Sequence, residues 1–248
     1  MLMQAEESAW IIVLEETEEV ARRAADLFIE TARASVADHG RFSVALAGGS
    51  TPRRCYELLA TDEYRNRIDW SQAHIFFGDE RTVPPTDAES NYHMAQDAML
   101  SRLPIPQQNV HRMMGESDPS SAAQLYEQEL KVFFRDAPWP RFDLILLGMG
   151  DDGHTASLFP HTPALLEERA WVVANRVEKL KTFRLTLTVP AINHANSVVF
   201  IVTGAAKAER LREVIRGPRD PERLPSQLIR PIDGTLTWLL DKAAARLL

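Results

Sequence analysis

Short apolar runs alternate along the chain with longer stretches of helical period. Runs at residues 10–14, 42–47, 75–77 and 144–147 have strand length and little internal polarity, the pattern of strands buried on both faces. Three more, WVVANRV from Trp171, RLTLTV from Arg184 and SVVFIVTG from Ser197, are rich in β-branched residues. In the second, Arg184, Thr186 and Thr188 alternate with Leu185 and Leu187, which predicts one polar side. Val110 is expected on an edge strand. Residues 18–39 repeat Val20, Ala24, Leu27, Phe28, Thr31 and Ala34 at helical spacing, and Gly40 stands where a helix stops. Helices are also expected after Pro52, from Ser90 or Asn91 to about residue 103, over 120–134, from Ala205 to 215, and over 236–248 as a cover for the core. The strand–helix rhythm makes the chain α/β. It continues past the DAPWPR break at 136–141, so residues 1–248 are read as a single domain.

Composition narrows the class. With 248 residues and 45% hydrophobic content the chain can bury one large core. Charges of 28 positive and 35 negative leave 28 − 35 = −7, which argues against a general nucleic-acid or anionic-membrane surface but not against a local basic pocket. One cysteine, Cys55, excludes an internal disulfide framework, fits a reducing compartment and is expected as a buried thiol. No run approaches the roughly 18 apolar residues of a membrane span. The N-terminus, with Glu6, Glu7 and Trp10, has no signal-peptide layout, so a cytoplasmic protein is expected.

Polar chemistry gathers where the apolar runs end. Residues 142–160, FDLILLGMGDDGHTASLFP, pass from a buried strand into Gly148, Gly150 and Gly153 with Asp151, Asp152 and His154 among them. Open α/β sheets place ligand sites at such strand ends. His154 beside Asp152 suits general acid/base work, the alternative being a structural histidine. After residue 47 come Gly48, Gly49, Ser50, Thr51 and Pro52, a layout that presents backbone N–H groups to a phosphate or else caps a helix through Ser50 or Thr51. Gly78, Asp79, Glu80 and Arg81 end a third run, where Arg81 contacts a substrate oxygen or pairs with Asp79 or Glu80. Lys207, in the first turn of a helix, is either solvated or held there for an anion. There is no GxGxxG, no GK[ST], no GxSxG elbow and no HExxH or Cys/His metal spacing.

The blocks VALAGGSTP, FFGDERTVPPTDAESNYHM, LLGMGDDGHTASLFP, RLTLTVPAIN and TGAAKAERL, followed by LPSQLIRP and WLLDKAAA, stand in the order and spacing of 6-phosphogluconolactonases, and the chain resembles that family over nearly its whole length. The resemblance implies a mostly parallel, Rossmann-like open sheet with helices on both faces. It also implies hydrolysis of 6-phospho-D-glucono-1,5-lactone in the pentose phosphate pathway, with no metal and no organic cofactor. By the same resemblance His154 takes the proton of the attacking water, Asp152 orients the imidazole or holds that water, and Arg81 neutralises negative charge on the substrate or the developing oxyanion. Gly49, Ser50, Thr51 and Lys207 hold the phosphate, with Arg184 and Asp79 as further substrate contacts. A monomer is expected, a dimer being the alternative.

The pattern departs from the family at EKLKTF, residues 178–183, where relatives carry a lysine followed by prolines; this leaves open which of Lys179 and Lys181 faces substrate. The nearest rival, glucosamine-6-phosphate deaminase, shares the glycine–serine–threonine turn and the GxGxDGH strand end. That family has a glutamate where this chain has Phe159, and MDEY where it has GDER. A sugar-phosphate sensor of the transcription-regulator type would carry a helix-turn-helix ahead of the first strand, for which residues before Trp10 are too few.

Overall fold

The computed structural model describes residues 2–5, 9–135 and 137–248; Glu6 and Glu7, and Asp136 of the DAPWPR break, lie outside them. The chain opens with β1 (Leu2–Ala5), β2 (Ala9–Leu14), α1 (Thr17–His39), β3 (Phe42–Leu46), α2 (Ser50–Leu59), β4 (Ala73–Phe77) and β5 (Asp79–Arg81). It continues with α3 (Asn91–Ala95), α4 (Pro119–Phe133), β6 (Leu144–Leu147), β7 (Val172–Val177), β8 (Thr182–Leu187) and α5 (Val189–Asn193). The last elements are β9 (Ser197–Val202), α6 (Ala208–Arg216), β10 (Thr235–Asp241) and α7 (Lys242–Ala245).

Seven strands form the main sheet in the order β1-β2-β10-β9-β6-β3-β4. Every pairing in it is parallel except that of β1 with β2. This is the open, mostly parallel sheet that the family resemblance implies. Alternate residues of each strand enter two different cores. Val44, Leu46, Ile75, Phe77, Leu144 and Leu146 pack with α1 and α2. Ala45, Phe76, Ile145, Leu147, Val198 and Phe200 pack on the other face with α4, α5 and α6. Strands covered on both faces need apolar side chains at every position, which is why they read as unbroken runs.

Several expectations are corrected. Residues 235–241 form a strand between β2 and β9, and only 242–245 are helical, so there is no terminal helix over 236–248. A doubly buried strand has no period of its own, and the alanines that follow it complete an apparent helix. On α1, Val20, Ala24 and Phe28 are buried as expected, but Ala34 is exposed, while Ala21, Ala25, Ile29, Ala32 and Ser35 are buried. Small side chains let that helix lie close to the sheet, so alanines rather than Leu27 mark the interface. Val110 makes a single parallel bridge to Ile75 and no strand. The helix after Ser90 is α only to Ala95 and ends in a π turn over Gln96–Leu100.

The strand–helix rhythm also breaks. β5, β8 and β7 form a separate antiparallel sheet, reached directly from β4 through Gly78. Gly78 donates to Leu46 O at 2.9 Å and accepts from Leu187 N at 2.8 Å, joining the two sheets at one residue. On the polar side predicted for β8, Arg184 is half-buried, while Thr186 and Thr188, the latter just past the strand's end, are fully buried. Thr186 Oγ1 accepts from Ser157 N at 3.2 Å, and Thr188 Oγ1 donates to Ala170 O at 2.7 Å. Among the described residues no helix is long and apolar enough to cross a membrane.

Candidate active site

From β3 the chain first adds β4 on one side and only later β6 on the other, so the strand order reverses at β3. Loops leaving β3 and β6 there diverge to opposite faces and open a crevice at the strands' carboxyl ends. Gly49, Ser50, Thr51, Asp79, Arg81, His154 and Lys207 all line this crevice of about 290 Å³. The structure thus brings together candidates from four strand ends. Asp152 and Arg184 stand just behind the lining, each against a residue that belongs to it.

The turn after β3 is held open by its backbone. α2 starts at Ser50, with Gly49 as N-cap and no side chain capping it, so neither Ser50 nor Thr51 caps the helix, and Pro52 is not its first residue. The first intrahelical bond is Arg53 N to Gly49 O, 3.0 Å, which leaves the N–H groups of Ser50 and Thr51 directed out of the helix end. An anion is favoured there by those donors and by the helix dipole. Thr51 Oγ1 lies 2.8 Å from Thr203 Oγ1, linking this turn to the end of β9. Two buried tyrosines steady the strand ends. Tyr56 OH meets both N (3.0 Å) and O (2.9 Å) of Ala47, and Tyr126 OH meets N (2.9 Å) and O (3.3 Å) of Phe77. Backbone leaving a sheet needs one donor and one acceptor, and a phenol supplies both.

His154 and Asp152 are joined, Nδ1 to Oδ1, at 2.5 Å. The second carboxylate oxygen pairs with Lys179. Burial raises the proton affinity of Asp152, but the bonds from His154 and Lys179 outweigh it and hold the carboxyl well below the usual range. An ionised Asp152 accepts the Nδ1 proton, which leaves the lone pair of the imidazole on Nε2. Nε2 makes no hydrogen bond to protein among the described residues. The ring stacks on Phe159 at 4.1 Å and lies against the backbone of Gly150, where a Cβ would come within 2.1 Å of it. The loop is fastened from several directions: Gly150 N to His154 O at 2.9 Å, Thr155 Oγ1 to Gly148 O at 2.8 Å, and Ser226 Oγ to Gly153 O at 2.9 Å.

Arg81 does not pair with Asp79 or Glu80; its Nη1 donates to the carbonyl of Glu89. Arg184 is its cross-strand partner in the small sheet. Burial first, and then the charge of Arg81, lower the proton affinity of the Arg184 guanidinium. Neither arginine has a carboxylate within ion-pair distance among the described residues, although Asp79, Glu89 and Glu80 act on the Arg184 charge from further off. Asp79 is buried, its carboxylate taking 2.7 Å from Ser157 Oγ and 3.2 Å from Asn91 Nδ2. Lys207 Nζ lies 2.5 Å from Asp151 Oδ1 at the rim. This exposed pair lowers the Asp151 carboxyl, and solvent screening leaves it weak enough for a stronger anion to displace.

Of the two lysines left open by the sequence, Lys179 reaches Asp152, whereas Lys181 is exposed at φ 52° on the hairpin. Sequence reasoning missed the tyrosine clamps, the contact of Asn91 with Gly48, and the close approach of Gly150 to His154. No group of three or more His, Cys, Asp or Glu side chains able to hold a metal ion occurs among the described residues.

A model of the family described as glucosamine-6-phosphate isomerases/6-phosphogluconolactonase matches residues 15–238. The chain is 46% identical over 214 residues to the 6-phosphogluconolactonase of Synechocystis sp., covering 85% of this chain and 86% of that one. Against the 6-phosphogluconolactonase of Nostoc sp. it is 43% identical over 236 residues, 94% and 95% of the two chains. The solved structure of 6-phosphogluconolactonase from Trypanosoma cruzi matches with a TM-score of 0.87 at 32% identity, across 100% of this chain and 98% of that one.

Proposed function

The chain belongs to the glucosamine-6-phosphate isomerase/6-phosphogluconolactonase family, and from that premise we propose how its crevice hydrolyses 6-phospho-D-glucono-1,5-lactone to 6-phospho-D-gluconate. The protein is a carboxylic ester hydrolase of the oxidative pentose phosphate pathway.

The substrate phosphate sits at the N-terminus of α2, on the N–H groups of Ser50 and Thr51, with Lys207 turning to it from Asp151. That anchor carries the lactone ring toward the end of β6. His154, with Nδ1–H committed to Asp152, accepts a proton at Nε2 from water as the water oxygen attacks the lactone carbonyl. Negative charge then builds on the carbonyl oxygen, where Arg81, backed by the charge of Arg184, stabilises it. Collapse of the tetrahedral intermediate breaks the bond to the ring oxygen, which takes the proton back from the imidazolium. A lactone is already an activated ester, so positioning and general-base help suffice and no covalent nucleophile is needed.

The observation that carries this reading is the Asp152–His154 pair opening on the same crevice as the uncapped start of α2. Deaminase chemistry lacks its second acid, because Phe159 is stacked on His154 at that position. The active unit is taken as residues 1–248 in one α/β domain, supported by a main sheet whose strands come from both sides of the 136–141 break. A cytoplasmic monomer is the form proposed, with Cys55 free and buried as a reducing compartment allows.

His154→Ala is expected to lower kcat by about 10²-fold or more while binding of 6-phosphogluconate, followed by calorimetry, stays near that of the parent. A folded variant that turns the lactone over at the parent rate, after correction for spontaneous hydrolysis, would refute the base assignment.

A further inference from the structure

Glu80 takes no part in the steps above, yet it is a carboxylate only 2% exposed, standing between two residues that line the crevice. No cation pairs with it among the described residues. Its charge is met by donors instead. Oε1 accepts from Arg81 N at 2.8 Å and from Asn91 N at 2.7 Å. Oε2 accepts from Tyr92 N at 2.8 Å and from Ser90 Oγ at 3.0 Å. A buried ion is costly unless its lone pairs are filled, and here four donors fill them.

Those donors come from the end of β5 and from the start of α3, each of which gives one residue, Arg81 and Asn91, to the crevice wall. Arg81 is held through its backbone by Glu80 and through its guanidinium by Glu89 O, the residue before Ser90. Asn91, held through its N–H, donates its side-chain amide to Asp79 O at 2.9 Å. Its Oδ1 lies so close to Gly48 that a Cβ there would approach to 2.1 Å. The Arg81 backbone and, through Ser90 next to Glu89, the carbonyl that holds its guanidinium are therefore referred to one carboxylate.

We propose that Glu80 is a positioning residue: by clasping residue 81 to residues 90–92 it sets where the Arg81 guanidinium stands over the crevice. This rests on the lactonase reading for its kinetic consequence, though not for the clasp itself. Glu80→Gln keeps the shape but turns amide hydrogens toward groups that are already donors, so at least one pair of bonds is lost.

With E80Q folded, kcat/KM is expected to fall by about 10- to 100-fold, the scale of a misplaced catalytic group. In an Arg81→Ala background the same change is expected to alter kcat/KM by less than about two-fold, because the clasp acts through Arg81. Parent-like kinetics for E80Q, or losses that multiply in the double variant as a general structural role requires, would overturn the proposal. Amide exchange of residues 81–92, followed by peptide mass spectrometry, reads the clasp whether or not lactone is consumed. It is expected to quicken in E80Q, and unchanged protection would overturn the clasp. Absence of lactone hydrolysis in the parent protein would sink the functional reading alone, leaving exchange to decide on Glu80. Should E80Q fail to fold, Ser90→Ala removes one of the four donors and carries both tests, with a smaller loss that again disappears in the Arg81→Ala background.

Discussion

The imidazole of His154 is held between the Phe159 ring on which it stacks and the main chain of Gly150, so the absence of a side chain at 150 is part of what places the ring. A methyl group at position 150 would lie 2.1 Å from ring atoms Cε1 and Nδ1, so the ring has to leave its place against Asp152. Gly150 has no left-handed backbone to lose, so the cost falls on the ring alone. Gly150→Ala is accordingly expected to reduce kcat by about 10²-fold with little change in KM or in thermal midpoint. A variant with parent kcat would show that the ring is free to relocate. The Asp152–His154 pair was legible in the sequence because its partners are two residues apart and bond within one loop. Lys179, which completes the pair, is 27 residues from Asp152, and no local pattern separates it from Lys181.

At the scale of elements, β10 marks the limit of reading by pattern. Its residues Leu236, Trp238 and Leu240 face one core and Leu239 the other, so apolar positions run unbroken over 238–240. Trp238 lies flat on Phe200 of β9, centroids 3.9 Å apart at 5°. Trp238→Ala is therefore expected to cost about 3–5 kcal/mol of stability, read by denaturant unfolding. As a central strand, β10 should hold its amides for as long as β9 does in hydrogen exchange, whereas a terminal helix would fray early. Rapid exchange over 236–240 would contradict the placement. The opposite lesson comes from β3 and β6, whose glycines and charges announced strand ends directly, because a chain turning sharply at a ligand needs small residues there.

For the molecule as a whole, the far end of the sheet sets an acid limit on stability. His74 on β4 lies 3.3 Å from His111, which bonds Glu129 at 2.6 Å. Burial, and after it the charges of His111 and Arg41, bring His74 down from 6.5 to about 4. The native state thus binds the proton less readily than the unfolded chain. Stability from this site is complete above pH 6.5 and is lost as pH falls toward the folded value of about 4. The thermal midpoint is expected to drop across that interval, and less steeply in His74→Gln. An equal slope in the two proteins would assign the acid sensitivity elsewhere.

The α/β class, the four polar strand ends and the adjacency of Asp152 and His154 were legible in the sequence, because each depends on burial period or on bonds within a few residues. Tertiary structure alone decided that β10 is a strand, that β5, β7 and β8 leave the main sheet, that Lys179 meets Asp152, and that Glu80 gathers donors from residues 81 and 90–92. Partners in those cases are selected by where the sheet order brings separate loops together. A hydrogen bond has no memory of sequence distance, and only the topology settles which groups come within its reach.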